Sequence, residues 1–215
     1  MQFFGHPFSS YTQKVLIALW ADETPFEYRM LDQEHPENFE ELKRHSPFGQ
    51  FPLVIDKDAA LFESTPIIEH LQACHPGPNR WIPDGEIGRR ARFLDRFFDL
   101  HVMNNMQALV GDALRPEEAR DPYGAARARE RLHIAYDWLE HEIGAQWATG
   151  DSFTVADCAA APSLFYADWV EPIGSSRPKL TAYRSRLLAH PTVARAVEEG
   201  RPYRPLFPLG APDRD

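Results

Sequence analysis

The chain has few of the residues on which disulfide-bonded or cysteine-ligated folds depend. It contains two cysteines in 215 residues, Cys74 and Cys158, and neither belongs to a CxxC motif. This argues against a disulfide framework or a zinc site and favours a reducing compartment. No apolar run approaches the roughly 18 residues of a membrane span. Because the start MQFFGHPF also lacks a secretory signal pattern, we expect a cytoplasmic protein without a membrane partner.

Basic residues are also scarce, and the charge is unevenly distributed. The chain has 23 Lys and Arg against 32 Asp and Glu, a net charge of -9. Residues 1–76 carry five basic and twelve acidic side chains, so most of the negative excess lies there. A nucleic acid would require a basic surface and is therefore not an expected partner. Any anionic ligand of this first part must be held by local hydrogen-bond donors.

The hydrophobic pattern changes at HPGPNRWIPDG, residues 75–85, which has three prolines and two glycines. Before it, short apolar runs alternate with helical spacing in the order β-α-β-α-β-β-α, and strands joined through a helix predict a parallel pair. After it, apolar residues recur at steps of three and four over 87–110 and 125–143, which predicts helices. We therefore predict an α/β domain over 1–76, a linker over 77–86, an all-helical domain over 87–200 and an irregular tail over 201–215.

Three hydroxyl residues, Ser9, Ser10 and Thr12, precede a helical run. Serine and threonine cap helix N-termini, and capping is the simpler interpretation of this cluster. The alternative is that one hydroxyl faces a ligand thiol, where a donor and the positive end of the helix would stabilise a thiolate. A serine nucleophile is not indicated, since the chain has no G-x-S-x-G elbow.

Two later stretches have similar alternatives. In SPFGQFPLVID, Pro52 opens an apolar run and so belongs at a strand start or edge. A trans bond after Phe51 is the default. In FESTPIIEHL, Ser64 or Thr65 before Pro66 marks a helix start. The free N–H groups of that turn are satisfied by the cap or bind a carboxylate.

One group of residues is of the types that ligate metals. His70, Cys74 and His75 share the end of a predicted helix. A metal site needs a further ligand and its own second shell, and the sequence indicates neither. Positive side chains near the end of a helix are the simpler explanation, so no metal site is predicted.

In combination, these stretches resemble the thioredoxin-like domain of cytosolic glutathione S-transferases. The resemblance rests on SSYTQKVLIAL at 9–19, GQFP at 49–52 and the pair Glu63 and Ser64. In the second part, FTVADCAAAP at 153–162 resembles the N-capping box of the family, and HPTVARAVEE resembles its closing helix. The loop is similar to that of the serine-type, theta- or zeta-like bacterial branches.

The resemblance implies a transferase that uses glutathione as co-substrate and no metal. Ser9 would hydrogen-bond the glutathione sulfur, and Ser10 is its competitor because a one-residue shift of the loop exchanges them. Tyr11 is not expected to take this role, because it lies beyond the end of the first strand. Phe51 would pair its backbone with the cysteinyl part of glutathione beside a cis Pro52.

The γ-glutamyl end of glutathione would be held by the helix start at 63–64. The resemblance places Ser64 at the helix N-terminus and Glu63 against the ammonium group, with Gln50 as a further donor. It also implies a homodimer. Phe48 stands where several branches insert an aromatic anchor into the partner.

The second substrate, a small electrophile, would lie between the domains. Phe97, His101 and Asn105 recur at i, i+4 and i+8 beside the core stripe and are the candidates for its wall. Packing of these three residues against a neighbouring helix is the alternative.

Two other functions are open at this point. The loop SSYT resembles that of the maleylacetoacetate isomerase branch, although that branch usually carries a cysteine there, which this chain lacks. A non-catalytic relative that binds a protein or carries a ligand would keep the fold while losing the donors. This chain retains the donors at the matching positions.

Overall fold

The computed structural model describes all 215 residues and shows a mixed four-stranded sheet with three helices, followed by a helical domain. The first domain consists of β1 (Gln2–Gly5), α1 (Ser10–Ala21), β2 (Glu27–Met30), α2 (Pro36–His45), β3 (Leu53–Asp56), β4 (Ala59–Phe62) and α3 (Ser64–Cys74). This order confirms the predicted thioredoxin-like domain.

The second domain contains α4 (Gly85–Phe97), a π-helical turn (Phe98–Met103), α5 (Asn104–Ala113), a 3-10 helix (Glu117–Ala119), α6 (Pro122–Glu142), α7 (Val155–Val170), α8 (Pro178–Ala189) and α9 (Pro191–Gly200). The predicted all-helical character is confirmed. The tail begins with a 3-10 helix (Arg201–Leu206), where an irregular segment was expected. None of the helices combines the length and apolarity needed to cross a lipid bilayer.

The sheet has the strand order β2-β1-β3-β4. β1 and β2 are parallel, as the helix between them requires, and β3 is antiparallel to both β1 and β4. Successive side chains alternate between the two faces. Phe3 and Val54 belong to the main core with residues of α1 and α3, whereas Phe4 and Leu53 pack with Leu42 of α2.

The two domains share the main core, because α1 packs against α7 and α9 as well as against α3. Nearly all of α7 is buried. Its start is the predicted capping box: the Thr154 amide donates to Asp157 Oδ2 at 2.8 Å. The domains are therefore packed together rather than joined only by the linker.

A buried cation lies where the domains meet. The Lys14 side chain on α1 is 1% exposed, and its Nζ lies 2.7 Å from Asp95 Oδ1 and 2.8 Å from Asp99 Oδ2. It also donates to Thr65 Oγ1 on α3 at 2.9 Å. These partners compensate the desolvated ammonium group. Burial raises the pKa of Asp99, and Lys14 opposes that shift.

The long helix predicted over 87–110 is interrupted. Between α4 and α5 the chain forms the π-helical turn Phe98–Met103, which takes up more residues per turn than an α-helix. From residue 91 onward the apolar stripe nevertheless stays buried, with Leu94, Phe98, Val102 and Met106 all in the main core, whereas Ile87 at its start is exposed. This helix forms one side of the cleft described next.

Candidate active site

A cleft between the first domain and the α4–α5 helix has two compartments. The larger, here called the polar cavity, has a volume of about 590 Å³. Its lining residues come from both domains: Ser9, Tyr11, Gly49, Gln50, Phe51, Pro52, Phe62, Glu63, Ser64, Arg96, Asp99, Leu100, Asn104 and Gln107. The smaller, the apolar cavity, has a volume of about 300 Å³ and is mostly hydrophobic. Its walls are Phe8, Ser9, Ser10, Phe51, Met106, Gln107, Val110, Leu114, Tyr166, Leu206, Phe207 and Pro208.

Ser9 stands at the junction, since it lines both cavities together with Phe51 and Gln107. It is the N-cap of α1, with φ -83° and ψ 127°, and its Oγ accepts a hydrogen bond from the Thr12 amide at 3.3 Å. A serine hydroxyl has two lone pairs and one proton. The cap uses a lone pair, so the proton remains available to a ligand. Capping and ligand binding are thus compatible in this one side chain.

Ser10 faces only the apolar cavity. It is the first residue of α1 and is almost completely buried, and its Oγ has no hydrogen-bond partner within the protein. Buried hydroxyls without a partner are uncommon in folded proteins. The two adjacent serines therefore differ in environment: Ser9 borders both compartments and Ser10 only the apolar one.

The segment before β3 offers backbone groups to the cleft. The Phe51–Pro52 bond is cis, and neither the N–H nor the C=O of Phe51 makes a hydrogen bond within the protein. Both groups are free to pair with the backbone of a peptide-like ligand. Gln50 is exposed in the same wall.

The start of α3 forms the third part of this wall. Glu63 has φ 79°, a left-handed conformation that costs a non-glycine residue of the order of 1–3 kcal/mol and is frequent at ligand sites. Ser64 follows as the first residue of α3 and lines the polar cavity. The free N–H groups of that turn favour an anion, while the Glu63 carboxylate beside them favours a cation. Together, the free N–H groups and the Glu63 carboxylate suit a group that carries both a negative and a positive charge.

Several polar residues of the cleft were not predicted from the sequence: Tyr11, Arg96, Asp99, Asn104 and Gln107. Burial, and next Asp99 and Glu63, raise the pKa of Tyr11, which therefore stays protonated at neutral pH. The sequence did not predict a role for Tyr11, yet the structure places it in the wall of the polar cavity. Arg96 adds a cation on the facing side. A signal exists for this helix, since 96, 100, 104 and 107 follow steps of three and four.

Phe97, His101 and Asn105 are not brought to the cleft, and none lines either cavity. Phe97 stacks on Trp138 of α6 with ring centroids 4.3 Å apart and contacts the His101 ring at 4.9 Å. The Asn105 side-chain amide donates to the His101 carbonyl at 2.7 Å. The walls of the two cavities are formed by other residues, and packing against a neighbouring helix, the alternative given above, describes Phe97. Phe97 and His101 lie on one flank of the buried stripe of α4–α5, and residues on the opposite flank face the cleft.

Comparison with known proteins identifies relatives of both domains. Residues 3–79 match the model of the glutathione S-transferase N-terminal domain, and residues 122–186 match that of the C-terminal domain. The chain is 28% identical over 208 residues to a probable maleylacetoacetate isomerase of Vibrio cholerae, covering 93% of this chain and 96% of the relative. It is 27% identical over 201 residues to a glutathione S-transferase of Escherichia coli strain K12, covering 90% and 95%.

Solved structures of similar proteins include two with ligands. A glutathione S-transferase of Methylobacterium radiotolerans in complex with glutathione sulfonate is 25% identical with a TM-score of 0.78, covering 91% of this chain and 93% of that one. A glutathione S-transferase of Methylobacillus flagellatus with glutathione bound is 20% identical with a TM-score of 0.80, covering 91% and 98%. At 20% identity the second likeness concerns the fold alone.

Proposed function

Because the chain belongs to the glutathione S-transferase family, we propose that it is a serine-type glutathione transferase acting on a small apolar electrophile. Glutathione binds in the polar cavity, and the electrophile binds in the apolar cavity. The observation that carries the proposal is the position of Ser9 at the junction of the two, with its hydroxyl proton uncommitted.

Glutathione would lie along the first-domain wall. The backbone of Phe51 pairs with its cysteinyl part, and Gln50 is a further donor. The first turn of α3 at Ser64 receives the γ-glutamyl carboxylate, and Glu63 receives the ammonium group. This arrangement brings the sulfur to Ser9. Each of these groups lines the polar cavity, and the Phe51 backbone has no competing partner.

The role of Ser9 is to keep the sulfur ionised. Lowering the thiol pKa by two units corresponds to about 2.7 kcal/mol. A charge-assisted hydrogen bond from the Ser9 hydroxyl is worth roughly 1.5–3 kcal/mol, and the N-terminus of α1 adds about 0.3–1 kcal/mol. The thiolate then forms a C–S bond to the electrophile, and the displaced group leaves with its electron pair. Tyr11, which stays protonated, lines the same cavity and is a further candidate donor to the sulfur.

The test is a pH titration of the thiolate absorbance of bound glutathione in wild type, Ser9→Ala and Ser10→Ala. We expect a thiol pKa below that of free glutathione in wild type, about 1–2 units higher in Ser9→Ala and unchanged in Ser10→Ala. A rise in Ser10→Ala alone would transfer the role to Ser10. Absence of bound thiolate in wild type would mean that the cluster is only a helix cap and that the protein is a non-catalytic binding module.

A glutathione-dependent isomerase is the second candidate function. It is favoured by the 28% identity to the Vibrio cholerae relative named a probable maleylacetoacetate isomerase. The same thiolate would add to a conjugated double bond and leave again after rotation, so glutathione is not consumed. Turnover of maleylacetoacetate without loss of glutathione supports this candidate, whereas loss of glutathione with an apolar electrophile supports conjugation.

We also propose that the protein forms a homodimer in which Phe48 is an anchor. Phe48 is 74% exposed and immediately precedes the cleft residues Gly49 and Gln50. An aromatic side chain of this exposure gains most by burial in a partner's pocket. In sedimentation experiments, the Phe48→Ser dimer should be weaker, so that it dissociates into monomers at protein concentrations at which wild type is still dimeric. Tyr123→Ser, at a comparably exposed position of α6, is the control, and equal dissociation of all three proteins would refute the anchor.

A further inference from the structure

Three metal-ligating side chains converge at the end of the first domain remote from the cleft. Asp56 ends β3, His70 lies on α3, and His75 follows the last residue of α3. The Nε2 atom of His70 lies 2.9 Å from Asp56 Oδ2, and that of His75 lies 2.6 Å from the same oxygen. No metal site was expected from the sequence because a further ligand was missing, and Asp56 at the end of β3 supplies one.

Two imidazoles and a carboxylate are a donor set that zinc-type ions take. Zinc binds histidine nitrogen and carboxylate oxygen at roughly 2.0–2.2 Å, so tetrahedral ligand atoms lie about 3.4 Å apart. The three donor atoms here all lie within 4.8 Å of one another. The two imidazole–carboxylate distances need to widen by less than about 1 Å to admit an ion. A water molecule or added ligand would complete the coordination.

The charge and access of the cluster also suit a cation. Asp56 is 8% exposed, His70 17% and His75 31%, so the carboxylate is shielded while the imidazole edges reach solvent. No Lys or Arg pairs with Asp56, whose only side-chain partners are the two histidines. The carboxylate therefore has no permanent positive partner within the protein.

We infer that Asp56, His70 and His75 bind a divalent transition-metal ion of the zinc type. None of the three lines the polar or the apolar cavity. Pro52 and Asp56 are four residues apart along an extended segment, about 13 Å. Ser64 and His75 are eleven residues apart along α3, about 16 Å. The ion would thus link the end of β3 to the end of α3, and it is independent of the thiolate chemistry proposed above.

The test is a calorimetric titration of the chelator-treated, full-length protein with Zn²⁺ in the absence of glutathione. We expect one ion per chain and a rise in thermal midpoint that a chelator reverses, since an ion that binds only the folded state stabilises it. His70→Gln and His75→Gln should each raise the dissociation constant for Zn²⁺ by more than roughly tenfold. Loss of a residue that only supports a ligand already costs about tenfold or more, and these residues would be ligands themselves. Because Asp56 is nearly buried, its replacement risks the fold, and the two histidine variants carry the test.

The matched control is His45→Gln. His45 contacts Glu41 at 3.0 Å on α2 and belongs to no three-ligand group, so this variant should bind Zn²⁺ like wild type. No 1:1 binding in wild type, or unchanged affinity in both histidine variants, would overturn the inference. Cys74→Ser should retain binding; loss in that variant with retention in His70→Gln and His75→Gln would place the ion on the thiolate and equally overturn it.

Discussion

The two walls of the cleft are built from different chemical groups. The first-domain wall combines a few side chains, among them Ser9 and Glu63, with backbone groups: the free backbone of Phe51 and the first turn of α3. The helical-domain wall consists mainly of residues from one flank of α4–α5 and from the tail, among them Arg96 and Leu206. Backbone groups persist through most substitutions, whereas a side-chain wall changes with each one. One wall is thus suited to a constant ligand and the other to a variable one.

The largest expected effect is a loss of stability when the ion pairs that join the two walls are removed. Lys14→Met leaves Asp95 and Asp99 as buried carboxylates without their cation, and breaking such a pair costs about 3–5 kcal/mol. Urea unfolding should show this loss in the free energy of unfolding. Lys43→Met, on the exposed face of α2, is the control and should change stability by less than about 0.5 kcal/mol. Equal stability of Lys14→Met and wild type would show that the contact between the two domains does not depend on these ion pairs.

A smaller effect is expected on the binding of glutathione alone, without an effect on the binding of the electrophile. Glu63→Gln removes the negative charge beside the first turn of α3 and should raise the KM for glutathione about tenfold, or roughly 1.4 kcal/mol. The KM for the electrophile should stay within about twofold, because Glu63 lines the polar cavity and not the apolar one. Steady-state kinetics with each substrate varied in turn measures both. Glu69→Gln, on the same helix but paired with Arg92, is the control; an equal change in both KM values of Glu63→Gln would contradict the division of the cleft.

The smallest effect concerns the apolar wall. Leu206→Ser removes apolar surface at the mouth of the apolar cavity and should raise the KM for an apolar electrophile about fivefold, close to 1 kcal/mol. The KM for glutathione should not change. Ile134→Ser, similarly exposed on α6 but outside both cavities, is the control. A change confined to the glutathione KM would reverse the assignment of the compartments.

Most of the first-domain wall, although not Tyr11, was predictable because its signals are local. A hydroxyl before a helical run places Ser9, a proline before an apolar run places Pro52, and a Ser-Thr-Pro sequence places Ser64 at a helix start. The fold followed for the same reason, since the order of strands and helices is set by short-range periodicity. The role of each of these residues toward glutathione stays a prediction.

The helical-domain wall was not predictable, because periodicity identifies the buried stripe but not which of its flanks meets another domain. Arg96 and Phe97 are adjacent in sequence, yet one lines the polar cavity and the other stacks on α6. The carboxylate partners of Lys14 lie 81 and 85 residues away. Similarly, Asp56 is 14 and 19 residues from the histidines it contacts. Such pairings arise from tertiary packing, which one sequence does not encode in any local pattern.

The π-helical turn at Phe98–Met103 holds one residue more than an α-helical turn would. Deleting one residue there would let the turn close as a regular α-helical turn, so α5 would keep its orientation and Gln107 and Val110 would still line their cavities. Deleting one residue of α5 ahead of Gln107 would instead rotate the following residues by about 100° and shift them by about 1.5 Å along the helix axis. A change of one residue is therefore absorbed at the turn but remodels the apolar cavity when it falls within α5, and in neither case does it touch the groups proposed to hold glutathione.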